Sequence, residues 1–238
     1  MQSEQYVCLV CGFNMVGHYP EKCPFCGASR EHFLTAEECS KRFTVHETAV
    51  TDGVTCLRSE PALGLEHSAY RVKTGQRHIW IDCPSSFNTD LEPAECITFT
   101  HHHFMGASNM YREHFGASVQ IHRLDYENNR EMVEPFNLGN TFDANFSIDG
   151  AIQAYHIGGH TAGFTIYIFN DVLFACDYVF AKADPVKFNP FGPREETLAG
   201  GARLRELLDG QEIQTVCGQN YVESYATWLP KLDQLLDA

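Results

Sequence analysis

Apolar residues along the chain fall into short segments rich in β-branched and aromatic side chains, separated by pairs of turn-forming residues. Residues 43–49, 54–58, 69–73 and 78–82 form one such series, broken by Asp52-Gly53 and Thr74-Gly75, and predict an antiparallel meander. The next apolar run, Glu95-Cys96-Ile97-Thr98-Phe99, predicts a buried strand that empties into Thr100-His101-His102-His103. A helix over 107–115, stopped by Gly116, and a strand over 119–123 are expected next. Strand, polar loop, helix and strand in that order are an α/β signature.

Later strands are predicted over 151–157, 165–169 and 172–176, with Asp149-Gly150 and Asn170-Asp171 as turns. A helix over 194–208, interrupted by Gly200-Gly201, a strand over 213–217 and a helix over 223–236, kinked or split by Pro230, complete the chain. No repeat and no nucleotide-binding glycine fingerprint is present, so neither flavin nor NAD is expected.

Composition narrows the function classes. The 238 residues, 44% of them hydrophobic, suit one or two soluble domains with a sizeable core. Seventeen Lys and Arg against 31 Asp and Glu give a formal charge of −14, which repels phosphate backbones and anionic membrane surfaces. Nucleic acid and membrane are therefore not expected partners. The start Met1-Gln2-Ser3-Glu4-Gln5 lacks a basic flank and an apolar core, and a cytoplasmic protein is expected. Of ten cysteines, four crowd the first 26 residues and six are scattered singly, which is no secreted-type disulfide framework and suggests a domain boundary.

The crowded cysteines form two Cys-x-x-Cys-Gly knuckles, Cys8-Leu9-Val10-Cys11-Gly12 and Cys23-Pro24-Phe25-Cys26-Gly27, with 11 residues between Cys11 and Cys23. Two such knuckles converge four thiolates on one tetrahedral ion, and so small a unit depends on that ion to fold. Tyr6 before the first Cys, Phe13 after the first Gly, Cys-Pro-x-Cys-Gly-Ala and a closing Phe33 resemble the short rubredoxin-like domain of rubrerythrins. The resemblance implies a domain over 1–35, followed by a linker over 36–42, and favours iron, with zinc the alternative that ligand spacing alone leaves open.

Residues i and i+2 of an extended segment point the same way, so His101 and His103 can serve one ion while His102 turns elsewhere. His160, within Gly158-Gly159-His160-Thr161-Ala162-Gly163, is the expected third ligand, and Asp177, closing the apolar Leu173-Phe174-Ala175-Cys176 run, the fourth. Asp82, ending the Ile79-Trp80-Ile81 strand, is expected to hold a histidine or its loop by hydrogen bonds. Together these motifs resemble the metallo-β-lactamase superfamily over residues 43–238. That resemblance implies a four-layer αββα sandwich with its metals at one edge of the facing sheets. The family pattern His-x-His-x-Asp-His is broken here. Met105 and Gly106 stand where Asp and His belong, and Gln219 stands near a later ligand position. One metal is expected, iron or zinc, rather than two.

Cys83, Cys176 and Cys217 are expected to be buried packing residues, and His156 a sheet-face residue. His18, His32, His46, His67, His78, His114 and His122 have no evident partner. Three functions compete. An iron-dependent oxidoreductase would pass electrons from the rubredoxin-like centre to the His/Asp metal and act on O2, NO, peroxide or a sulfur species. A mononuclear zinc hydrolase would cleave a small thioester or lactone beside a structural zinc ribbon. A redox or metal sensor would not be catalytic. The expected partners are a small-molecule substrate, a redox partner protein and a second copy in a homodimer.

Overall fold

The computed structural model describes residues 4–237. The short apolar strand β1 (Gln5–Cys8) pairs antiparallel with β2 (Asn14–Val16) and β3 (Phe33–Thr35), in the order β2-β1-β3. The expected linker is a helix, α1 (Ala36–Arg42). It starts in a capping box, in which the Glu38 amide donates to Thr35 Oγ1 at 3.2 Å and the Thr35 amide to Glu38 Oε2 at 3.0 Å. Cys39 on its inner face is buried with Val7, Phe43 and Leu63, which ties the helix to the small sheet.

The predicted meander is β4 (Thr44–Thr51), β5 (Val54–Glu60), β6 (Ala69–Thr74) and β7 (Arg77–Ile81), each antiparallel to the next. Beyond it, β8 (Cys96–Thr98) and β9 (Ser118–His122) add in parallel, joined by α2 (Ser108–Phe115), which Gly116 ends in a left-handed conformation. The helices α3 (Arg123–Asn128) and α4 (Arg130–Val133) lead to β10 (Asn140–Phe142) at the sheet edge, giving the order β10-β9-β8-β7-β6-β5-β4. The parallel register Ile81↔Thr98 sets the residues that follow β7 and β8 beside each other. Asp82 is left-handed at φ 60°, so β7 stops at Ile81 and the Asp82 amide donates to Thr98 O at 2.8 Å.

The remaining sheet comprises β11 (Phe146–Ile148), β12 (Ile152–His156), β13 (Thr165–Phe169), β14 (Val172–Cys176), β17 (Thr215–Gly218) and β18 (Val222–Ser224) in that spatial order, with β14 and β17 parallel. A separate hairpin, β15 (Val179–Phe180) with β16 (Lys187–Phe188), follows β14. Every residue of β13 and β14 is buried, as their unbroken apolar runs require. Leu204 and Leu208 of α5 (Arg194–Leu208) and Trp228 and Leu232 of α6 (Tyr225–Leu236) are buried in the same cluster as Ile166 and Leu173.

Two expected breaks are absent. Gly200 and Gly201 do not interrupt α5. A Cβ at Gly200 would lie 2.1 Å from Tyr178 OH, and one at Gly201 would lie 2.7 Å from the Phe188 ring, so they are small to admit close packing. Pro230 sits inside a continuous α6, where it removes one backbone bond that the burial of Trp228 and Leu232 offsets.

The chain divides into two compact units. The first runs to Ile121 and resumes over Asn129–Thr141; the second comprises His122–Asn128 and the chain from Phe142 onward. The cysteine knuckles and His101–His103 belong to the first, His160 and Asp177 to the second. No helix among the described residues is long and apolar enough to cross a membrane.

Candidate metal centres

Each cysteine knuckle closes on a backbone bond from the glycine that follows it: the Gly12 amide donates to Cys8 O at 2.8 Å and the Gly27 amide to Cys23 O at 2.9 Å. Gly12 adopts φ 83°, which gives the turn its sense. The four sulfurs lie within 4.8 Å of one another, with Cys8 Sγ to Cys26 Sγ and Cys11 Sγ to Cys23 Sγ both 3.7 Å. A tetrahedral ion with metal–sulfur bonds of about 2.3 Å has edges of about 3.8 Å, so the cluster fits a four-thiolate zinc or iron. Hydrogen bonds from Cys11 and Cys23 push the Cys8 thiol well down, while the same network pushes Cys11 up. Four thiolates this close repel one another, and a cation is what would allow all to ionise. Cys8, Cys11 and Cys23 are buried and Cys26 is exposed. Phe13, Met15 and Phe33 are buried around them.

In the same unit, the histidine loop is fixed from below. Asp82 accepts from the Thr100 amide at 2.8 Å and from Thr100 Oγ1 at 2.9 and 3.0 Å, and Thr100 Oγ1 lies 3.0 Å from His101 Nδ1. The hydroxyl has one proton and the carboxylate is the stronger acceptor, so Thr100 accepts from His101 Nδ1–H. That tautomer leaves the metal-binding lone pair on Nε2. The His101 and His103 rings are 4.8 Å apart between centroids, and two imidazoles on one tetrahedral ion stand about 5 Å apart. His102 turns to Asn129, whose Nδ2 is 3.3 Å from its Nδ1. His67, without an evident partner in the sequence, is buried with its ring 3.7 Å from that of Phe104 and 5.8 Å from that of His101. Phe25, between the ligating Cys23 and Cys26, has its ring 5.3 Å from His103 and 4.9 Å from Phe104.

Met105 is buried, and Gly106 adopts φ 55°. A Cβ there would lie 2.4 Å from both Cys83 O and Pro84 O, so no side chain of any kind fits. A histidine at this position is thus excluded by the path of the chain.

In the second unit, His160 Nε2 and Asp177 Oδ2 are 3.6 Å apart and both side chains are buried. Donor atoms about 2.1 Å from a tetrahedral ion are about 3.4 Å apart, so this pair also fits one metal. Asn189 Nδ2 donates to Asp177 Oδ2 at 2.7 Å and lies 3.1 Å from His160 Nε2. The Phe191 amide, donating to Asn189 Oδ1 at 2.9 Å, fixes which way the amide faces. Asp125, fully buried, shapes the histidine loop by accepting from Thr161 Oγ1 at 3.0 Å and from the Gly163 amide at 2.8 Å. Gln219 is half-buried and its amide donates to Cys176 O at 2.8 Å. Cys83, Cys176 and Cys217 are all buried, and burial pushes the Cys83 thiol up. His156, ending β12, has its Nε2 2.8 Å from Ala162 O and its ring stacked on His122.

Sequence reasoning missed Thr100, Asn189, Asp125, His67 and Phe25. The histidine-triplet start could have flagged Thr100, but the others carry no local signature.

Comparison with known proteins agrees with this architecture. The family described as the rubrerythrin, rubredoxin-like domain matches residues 6–34. No curated protein matches the sequence. Among solved structures, the DIM-1 metallo-β-lactamase is 15% identical with a TM-score of 0.63, covering 81% of this chain and 97% of that one. The metallo-β-lactamase FIM-1 from Pseudomonas aeruginosa, in its mono-zinc form, is 14% identical with a TM-score of 0.64, covering 92% of this chain and 98% of that one. A histidine-to-alanine mutant of the flavo-diiron protein from Thermotoga maritima is 11% identical with a TM-score of 0.58, covering 82% of this chain and 61% of that one. The chain is therefore a metallo-β-lactamase fold that carries a rubredoxin-like domain at its N-terminal end.

Proposed function

We propose that the protein is a metal-dependent oxidoreductase. In this reading the four cysteines hold an iron, and His101, His103, His160 and Asp177 together hold one further iron that acts on a small molecule such as O2, NO, peroxide or a sulfur species. The observation that carries it is a four-thiolate cluster of metal-binding dimensions in the same compact unit as His101 and His103. Iron held by four thiolates supplies reversible one-electron chemistry. A hydrolase, which transfers no electrons, has no use for it.

The chain's own residues would define the second centre. Asp82, through Thr100, holds the His101 tautomer, and in the metal-free fold Asn189 occupies the His160 and Asp177 atoms that an ion would take. Met105 and Gly106 supply no hard ligand for a second ion, which argues against a two-metal hydrolytic mechanism. The likeness in fold to a flavo-diiron protein lends support. Exposed Cys26 is the ligand nearest an approaching redox partner. Because the cysteines and the histidine loop share a unit, this reading does not require the homodimer.

A second reading, a mononuclear zinc hydrolase of a thioester or lactone, is favoured by the likeness to a metallo-β-lactamase in its mono-zinc form. Metal content per chain, with the visible spectrum of protein grown with iron and purified without added metal, separates the two. About two irons and a red thiolate–iron chromophore support the oxidoreductase. Colourless protein with zinc in both sites overturns it in favour of the hydrolase.

A further inference from the structure

Both cysteine knuckles bear on the segment that carries the histidines. Phe25 is the middle of the second knuckle, so an ion drawing Cys23 and Cys26 together also sets where its ring stands. That ring meets His103 at 5.3 Å and Phe104 at 4.9 Å between centroids. The first knuckle meets a different part of the same unit. A Cβ on Gly64 would lie 2.3 Å from Val10 O, and one on Gly12 would lie 3.1 Å from Glu66 Cβ. Glu66, buried, locks this loop by accepting from the Ser59 amide at 3.0 Å and from the Ser85 amide at 2.6 Å. The next residue is His67, whose ring lies on Phe104 at 3.7 Å. Phe104 is therefore held between Phe25 from one knuckle and His67 from the loop under the other, directly after His103.

His103 itself is only half-buried, whereas His101 is buried and braced by Thr100 and Asp82. Of the two imidazoles, His103 is the less buried, and it packs among the rings of Phe25 at 5.3 Å and His102 at 4.4 Å. We propose that Phe25 is a positioning residue for His103, so that occupancy of the four-cysteine centre sets the metal affinity of the histidine centre in the same chain. The proposal rests on reading His101 and His103 as metal ligands, but not on iron, electron transfer or turnover.

The test uses the full-length protein and two probes. Cobalt(II) in the cysteine centre gives intense thiolate-to-metal absorption that reports its loading and geometry. Competition for Zn2+ with a chromophoric chelator then reads the affinity of the histidine centre. In Phe25→Ala, the thiolate–cobalt band is expected to persist while zinc affinity at the histidine centre falls about tenfold, in the range found when a residue supporting a ligand is lost. Phe25→Tyr, which keeps the ring, is expected to restore it. Unchanged zinc affinity in Phe25→Ala with the cobalt band intact overturns the proposal. If Phe25→Ala fails to load the cysteine centre, Phe25→Leu, which keeps apolar volume but loses the flat ring face, is read by the same two outcomes. Wild-type protein that binds zinc at the cysteines alone overturns the histidine centre and this proposal with it, a result distinct from unchanged affinity in the variant.

Discussion

Thr100 donates its hydroxyl to Asp82 at 2.9 Å while its own amide donates to the same carboxylate at 2.8 Å, so one buried acid holds both ends of the residue that orients His101. The relation follows from the parallel register of β7 and β8, which ends both strands side by side and leaves Asp82 and Thr100 within reach of each other. Thr100→Val keeps the shape and the amide bond and removes the hydroxyl. Two effects are expected: a loss of about 1–3 kcal/mol in stability, because a buried carboxylate and an imidazole N–H each lose a partner, and a 10- to 100-fold loss of zinc affinity at the histidine centre. Urea unfolding and chelator competition would read them separately. Lost stability with unchanged affinity would show that the Thr100 contact does not select the His101 tautomer.

Asn189 points its two amide protons at the groups that a metal would need. It lies 2.7 Å from Asp177 Oδ2 and 3.1 Å from His160 Nε2. Its partial positive charge thus satisfies in the metal-free fold what a cation would satisfy in the loaded one. Asn189→Ala is expected to lower the melting temperature of metal-free protein, corresponding to a loss of about 1–3 kcal/mol. Zinc affinity should stay level or rise, since a competing donor has gone. Melts with and without a strong chelator test this, and a variant destabilised equally in both states would contradict it.

Gly106 is held where any Cβ would collide with Cys83 O and Pro84 O at 2.4 Å. Installing an acid and a histidine by Met105→Asp with Gly106→His is therefore expected not to recruit a second metal. Gly106→Ala alone should cost several kcal/mol, on the order of 3 or more, because a positive φ and a backbone collision both oppose it. Denaturant midpoints and metal counts measure the two effects. A double variant holding one more ion per chain would show that the loop can move aside.

The parts most legible in the sequence are those whose chemistry is local. Cys-x-x-Cys-Gly states its turn and its ligands within five residues, and His101 and His103 share a side because they are two apart on an extended run. Asp82 is readable because a carboxylate ending an apolar strand needs partners. Asn189 is not readable, being a lone amide after a two-residue strand, significant only because the fold returns it to His160 and Asp177. Asp125 lies 35 residues before His160, and His67 gains its meaning from Phe104 across a loop. Local propensity also overstated Gly200-Gly201 and Pro230 as breaks, because tertiary packing holds both helices continuous.

His122 gives the fold a measurable acid sensitivity. Its imidazole is 1% exposed and stacked at 4.0 Å on His156, and Nδ1 accepts from the Leu124 amide at 3.2 Å. Burial first, then the charge of His156, push its pKa down to about 4, outweighing the upward pull of Asp125 and Asp143. A depressed histidine pKa means that the unfolded chain takes up the proton before the folded one. Stability is therefore unaffected by this group above about pH 6.5, falls as pH drops through the window from about 6.5 to about 4, and levels off, as far as this group is concerned, below that. His122→Asn, which keeps an acceptor for the Leu124 amide but cannot take up the proton, is expected to flatten the fall in urea midpoint between pH 6.5 and 5, where few carboxylates titrate. A variant with the same slope as the parent over that interval would place the acid sensitivity in other groups.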